Sequence, residues 1–317
     1  MRLKRDGTES LEFRLPLTRT LDLDGPVHLA DYGGPDDGPL LVAVHGLGGS
    51  HLNWLAVAPL FTRRSRLLAV DLVGHGRTPA AGRTADIDGH RRLLGSVLRV
   101  ACDEPVVLVG NSMGGLVAAL QATVDPESVA GLVLIDPALP VSGRPGIVHP
   151  RVVANFLICA VPGLGERFLD ARRRRTPARL HVERVLRICC ANPSRVAPEV
   201  VDALVELTAG LDRRECDAAY LRSARSLTAL LSRPSATARA LDAINRPVLL
   251  IHGDRDWLVP LAVARRACAA HRHWQLDVAR GVGHVPMLEA PEWTASAIDR
   301  WLPAIGTQGA GAEAGIS

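Results

Sequence analysis

The chain has no apolar run of membrane-spanning length. Stretches such as Pro39–Val44 and Pro105–Val109 fall far short of the roughly 20 residues a transmembrane helix needs. The basic start Met1-Arg-Leu-Lys-Arg-Asp has no hydrophobic stretch behind it, so no cleaved secretory signal is expected. Cysteine is sparse: Cys102, Cys159, Cys189, Cys190, Cys216 and Cys268 lack CxxC spacing, and neither a zinc ribbon nor a redox pair is indicated. They read as reduced, mostly buried thiols of a cytoplasmic protein. Lysine is nearly missing, with Lys4 alone among 37 basic residues. No internal repeat, metal constellation or dinucleotide-binding loop occurs, so no metal and no cofactor are expected.

What remains is ordinary globular material: 317 residues, 47% hydrophobic and 22% charged, enough for one large domain or a domain with a sizeable insertion. The net charge of +4 is unevenly spread. Residues 138–246 hold 18 arginines against 10 acidic groups, and the remainder holds 19 basic against 23 acidic residues. The run Arg172-Arg173-Arg174-Arg175 has no interleaved aromatics and belongs to no nucleic-acid-binding module. A solvated helix face is therefore preferred; nucleic acid is not expected as a partner, and contact of the lid with a lipid surface through this basic cluster is kept as the minority reading.

Short apolar runs alternate with longer helical patterns, which signals an α/β fold with a mainly parallel sheet. Leu40–His45, Leu67–Asp71, Val106–Gly110, Leu132–Asp136, Val248–His252 and Trp274–Val278 read as strands. Several are apolar throughout, as strands covered on both faces must be. Leu11–Leu23 and Val27–Tyr32 are expected as an antiparallel entry pair, closed by the turn-rich Gly33–Pro39. Ala85–Cys102 patterns as an amphipathic helix and Met113–Val124 as a buried one. The rhythm breaks at Pro137 and resumes at Pro247, with helical patterns at 198–210 and 216–231 between. The expected organisation is a core half at 1–136, a helical lid at 137–246, the rest of the core at 247–305 and a Gly-rich tail at 306–317.

Gly110-Asn111-Ser112-Met113-Gly114 follows an expected strand directly and opens an expected helix. This is G-x-S-x-G in its strand–turn–helix setting, where a strained serine projects its hydroxyl and small flanking residues make the sharp turn feasible. A serine hydroxyl needs a base to take its proton, and the base needs an orienting acid. Two turns after later strands offer them: Gly253-Asp254-Arg255-Asp256-Trp257-Leu258-Val259-Pro260 and Gly281-Val282-Gly283-His284-Val285-Pro286.

With these segments the chain resembles the α/β-hydrolase-fold serine hydrolases of the capped, esterase- and lipase-like type. The family's acid turn, G-x-x-D-x-x-V-P, is matched by Gly253, Asp256, Val259 and Pro260. Its histidine context, G-H-x-P followed by E-x-P-E, is matched by Gly283–Pro286 and Glu289–Glu292. The resemblance implies Ser112 as nucleophile, His284 as base and Asp256 as acid, with Asp254 bracing the loop. Asp136, after the preceding strand, is the acid position used by some relatives. The loop His45-Gly46-Leu47-Gly48-Gly49-Ser50 is similar to the family's H-G-x-G loop, which implies an oxyanion hole from the backbone N–H groups of Leu47 and Met113. The turn Asp71–Thr78 resembles a structural turn of the family.

Three readings of the reaction follow. The first is hydrolysis of a small-molecule carboxylic ester through an acyl-enzyme; acyl transfer uses the same residues. The second is carbon–carbon bond hydrolysis of aromatic ring-fission products, whose enzymes Gly-Asn-Ser-Met-Gly-Gly resembles. Against it, Val285 stands where that subfamily has tryptophan, and Gly48-Gly49-Ser50 where it has G-P-G. The third is a non-catalytic binding protein, which would not need all three residues in order. The run Val152–Leu164 either lines an acyl pocket or packs the lid.

Overall fold

The computed structural model describes residues 13–140 and 148–305. Its eight strands are β1 (Leu17–Asp22), β2 (Pro26–Gly33), β3 (Leu40–Val44), β4 (Arg66–Val70), β5 (Val106–Asn111), β6 (Val129–Ile135), β7 (Val248–Gly253) and β8 (Gln275–Ala279). They form one sheet in the order β1-β2-β4-β3-β5-β6-β7-β8. The β1–β2 and β2–β4 pairs are antiparallel and every other pair is parallel.

Residue alternation explains why the central strands are apolar throughout. Val42 and Val44 of β3, Leu108 of β5, Leu134 of β6 and Leu250 of β7 enter one buried cluster. Leu41, Ala43, Val109, Val133 and Ile251, pointing the other way, enter a second. Helices cover both sides, so neither face can be polar. The first cluster is completed by α2 (Ile87–Ala101) and α3 (Met113–Val124), the second by the short α1 (Ala58–Phe61).

Among the described residues six α-helices lie between β6 and β7: α4 (Pro150–Ala160), α5 (Leu164–Arg175), α6 (Ala178–Cys189), α7 (Pro198–Gly210), α8 (Arg213–Leu231) and α9 (Pro234–Leu241). After β7 come α10 (Leu261–Ala270), α11 (Pro286–Glu289) and α12 (Pro291–Trp301). Pro162 and Gly163 (φ +79°) separate α4 from α5, which meet at 115°. Among the described residues no single helix is long and apolar enough to cross a membrane.

The inserted helices are fastened to the core through α8. Its Asp212 caps the helix by accepting from the Arg214 N–H. Glu215 accepts from the Ala80 N–H, Ser226 Oγ from the Ile87 N–H, and Ser223 Oγ lies 2.9 Å from His90 Nε2. Ala219 packs so close to Gly74 that a β-carbon there would lie 2.3 Å from it.

Two local expectations change. Asp24 (φ 55°) and Gly25 (φ 115°), not the Gly33–Pro39 segment, join the entry pair, whose first strand is described from Leu17. Gly33–Pro39 instead leads into β3, with β4 inserted between β2 and β3. The expected tail at 306–317 lies outside the described residues.

Candidate active site

Ser112 stands between β5 and α3 with φ 54° and ψ −117°. A non-glycine residue rarely takes positive φ, and the surroundings here hold it. Its N–H donates to the Ile135 carbonyl at 2.9 Å, and its own carbonyl accepts from the N–H groups of Gly115 and Ala138 at 3.1 Å. The flanking glycines are a steric necessity: a β-carbon on Gly114 would lie 2.2 Å from the Val44 carbonyl oxygen, and one on Gly110 would lie 2.5 Å from that of Gly114.

His284 Nδ1 donates to Asp256 Oδ2 at 2.6 Å. The other oxygen, Oδ1, accepts from the N–H groups of Leu258 at 2.7 Å and Val259 at 3.0 Å. Burial acts to raise the Asp256 carboxyl, but the His284 charge and hydrogen bond outweigh it and hold the group below the usual carboxylate range. Asn111, beside the serine, donates its side-chain amide to the carbonyls of Ile135 and His284, both at 3.1 Å. One side chain thus ties the serine turn to the histidine turn. Ser112 Oγ and His284 Nε2 form no hydrogen bond with each other among the described residues, a common state of substrate-free sites.

Asp136 also sits at this end of the sheet, at φ 45°, within 4.8 Å of the Asp256 carboxylate, and its own hydrogen bond goes to a strand end. Oδ1 accepts from the Gly253 N–H at 2.9 Å and lies 3.6 Å from His252 Nε2. Burial and the neighbouring charge of Asp256 hold its carboxyl well above the usual carboxylate range. Asp254, on the exposed side of the turn, accepts from the Gly281 N–H at 2.7 Å and so braces the two loops against each other.

The inserted helices complete this framework. The His284 N–H donates to the Cys189 carbonyl at the end of α6, 2.6 Å away. Buried Glu289 accepts from the N–H groups of Gly283 (2.8 Å), Ala191 (3.0 Å) and Asn192 (2.8 Å), joining the histidine loop to the segment after α6. Tyr220 of α8 stacks over Gly48 and accepts from the Asn155 amide of α4. Tyr220 and His252 carry no motif of their own, Asn111 occupies the free position of G-x-S-x-G, and Glu289 reads only as part of E-x-P-E.

The N–H groups of Leu47 and Met113 donate to nothing among the described residues. The loop carrying Leu47 is stiffened from behind: His45 donates from Nδ1 to the Gly46 carbonyl and accepts at Nε2 from the Leu72 N–H. A β-carbon on Gly46 would lie 3.1 Å from the Ser112 β-carbon, which places this loop against the serine. Asp71 organises the region below, accepting from the His51 N–H at 2.6 Å and the Arg77 N–H at 2.8 Å. Burial pushes Asp71 up, but hydrogen bonds from His28 and His51 prevail and hold it far below the usual range.

Two groups bring three donor atoms within 4.8 Å of one another: His28, His51 and Asp71, and Asp136, His252 and Asp256. In both, the carboxylates already accept from backbone N–H groups. Internal hydrogen bonding accounts for these arrangements.

The parallel sheet, the serine at the strand–helix turn and the acid and histidine at later strand ends define a class. The chain belongs to the alpha/beta hydrolase family, whose profile matches residues 41–297. It is 29% identical over 275 residues to a pimeloyl-[acyl-carrier protein] methyl ester esterase of Aromatoleum aromaticum, covering 80% of this chain and 94% of that protein. It is 25% identical to the monoacylglycerol lipase abhd6-A of Xenopus laevis, covering 86% and 78%. Among solved structures, haloalkane dehalogenase DbeA from Bradyrhizobium elkani superposes with a TM-score of 0.77 at 21% identity, over 92% of this chain and 99% of that one. At that identity the likeness speaks to the fold alone.

Proposed function

We propose that the protein hydrolyses carboxylic esters of small molecules through an acyl-enzyme on Ser112. His284 takes the serine proton as Oγ attacks the carbonyl carbon, and Asp256 holds the imidazole with Nδ1 protonated and Nε2 free to accept. The developing oxyanion is held by the N–H groups of Leu47 and Met113. His284 then gives its proton to the departing alcohol. A water, deprotonated by the same nitrogen, attacks the acyl carbon and releases the acid and Ser112.

The observation that carries this reading is the 2.6 Å Asp256–His284 bond, on a loop that Asn111 ties to the strained turn bearing Ser112. The esterase and lipase relatives support the reaction class at modest identity. A serine at the nucleophile turn argues against dehalogenation despite the shared fold, because relatives that use aspartate there form a different intermediate. The Asn111 tether supplies a structural reason for the Gly-Asn-Ser-Met-Gly segment that needs no ring-fission substrate.

The test is hydrolysis of p-nitrophenyl esters of graded acyl length by wild type and Ser112→Ala. Turnover by the wild type and a loss on the order of 10⁴-fold or more in the variant supports the proposal. Acyl transfer shows as ester exchange when an alcohol is added. A folded wild-type protein inactive on every ester overturns the proposal and makes ring-fission products the next substrates to assay.

A further inference from the structure

Helix α4 and its turn into α5 expose apolar side chains where a soluble surface is expected to be polar. Val153, Leu157, Val161 and Leu164 are 41%, 64%, 49% and 49% exposed. The first three recur every four residues, so they form one stripe along the solvent face of α4 and run onto the corner at Pro162. Val152 and Cys159, on the opposite side, are buried, and α4 packs there against α5 and α8. The stripe is therefore neither an acyl pocket nor lid packing. It begins beside the acid turn, where the ring of His149, the residue before α4, stacks on Trp257 at 4.9 Å between centroids and 5° between planes. Trp257, next to Asp256, is itself 54% exposed.

The charge around the stripe is of one sign. Pro150–Arg175 carries six arginines and two acidic residues, and both acids are already paired: Glu166 with Arg225, Asp170 with Arg173 and Arg174. Arg151, Arg167 and Arg175 are exposed and form no ion pair among the described residues. Such a combination of exposed aliphatic residues, one tryptophan and unpaired cations is the composition of a surface that lies in a lipid headgroup layer.

We infer that the α4–α5 corner docks on an anionic lipid surface, its aliphatic stripe and Trp257 entering the interface and its free arginines meeting lipid phosphates. Docking at this corner seats the acid turn beside the interface, so the inference adds a location for the substrate to the esterase reading without depending on it.

Sedimentation with vesicles of phosphatidylcholine alone and of phosphatidylcholine with phosphatidylglycerol, using Ser112→Ala protein, tests the inference apart from catalysis. The expected result is binding to the anionic vesicles and little to the neutral ones. Leu157→Asp or Val161→Asp lowers that binding by about tenfold or more, as does Arg167→Glu with Arg175→Glu. In the Ser112 background these exposed substitutions leave hydrolysis of a short soluble ester unchanged. No binding by the parent protein, or binding that survives both kinds of substitution, overturns the inference. Equal binding to neutral vesicles overturns the charge assignment. A dimer in analytical ultracentrifugation that Leu157→Asp dissolves shows a second copy to be the occupant of the stripe and likewise overturns it.

Discussion

Replacing Asp256 by asparagine separates the orienting role proposed for this residue from mere hydrogen bonding, because the surroundings dictate how the new amide must sit. Oδ1 receives two backbone N–H groups, from Leu258 and Val259. The asparagine oxygen must occupy that place, since an NH₂ there would face two donors. The NH₂ is then left at the position of Oδ2, 2.6 Å from His284 Nδ1. A donor facing Nδ1 forces that nitrogen to accept, so the ring proton moves to Nε2, the atom that has to take the serine proton. Loss of the productive tautomer costs about 10⁴ in kcat where such a triad operates, or about 5 kcal/mol of transition-state stabilisation. KM and folding should barely change, because the exchange is isosteric. Steady-state kinetics on a p-nitrophenyl ester, with melting curves as a folding control, measure this. Asp254→Asn keeps its acceptor for the Gly281 N–H, and Asp136→Asn keeps its acceptor for the Gly253 N–H; both should retain kcat within about tenfold. Near-normal turnover in Asp256→Asn, or a larger loss in Asp136→Asn, refutes the reasoning and moves the acid.

Buried His75 gives a pH signature: burial, then His45, lowers it from 6.5 to about 4. The unfolded chain binds a proton there below 6.5 and the folded protein does not, so this stability is present above 6.5 and is lost as pH falls towards 4. The loss between pH 7 and 5 is about 2 kcal/mol. His75→Gln should therefore shrink the melting-temperature drop over that interval by roughly 4 °C; an unchanged drop contradicts the assignment. Gly114→Ala puts a methyl 2.2 Å from the Val44 carbonyl and should destabilise by about 1–3 kcal/mol while lowering kcat, read by denaturant unfolding and ester kinetics. Glu289→Gln leaves one of its three backbone N–H donors facing an NH₂, at about 1–3 kcal/mol. A melting temperature within 1 °C of wild type, on the scale of roughly 2–4 °C per kcal/mol, would show that Glu289 is not the clamp described.

The parts of the molecule legible in the sequence are those written by local chemistry. The central strands are apolar because both faces are covered, and α3 spans Met113–Val124 as its pattern predicts. Asp256 and His284 sit in turns whose glycines and prolines announce them, and the structure brings the pair together. Within the insert, α7 and α8 were legible because their apolar spacings are bracketed by helix-boundary residues, Pro198 and Gly210 for the first and Pro234 after the second. Spacing shows that α4 has apolar faces but not which of them meets solvent, so the exposed stripe at Leu157 could not be told from one that lines a pocket or packs the lid. The tethers are long-range: Asn111 reaches the carbonyl of His284, 173 positions on, and Glu289 reaches Ala191, 98 positions back. The placement of β4 between β2 and β3 likewise depends on packing over the whole sheet and left no mark on either strand.

The central claim is that Ser112 is the nucleophile, and covalent capture tests it most directly. The folded protein would be treated with a p-nitrophenyl alkylphosphonate, which transfers its phosphorus to an activated serine with release of p-nitrophenol, and its intact mass and peptides then measured. One phosphonyl group per chain, located on the peptide containing Ser112 and missing in Ser112→Ala and His284→Ala, is the predicted result. No adduct on a folded chain, or an adduct on another residue that Ser112→Ala leaves in place, would contradict the account.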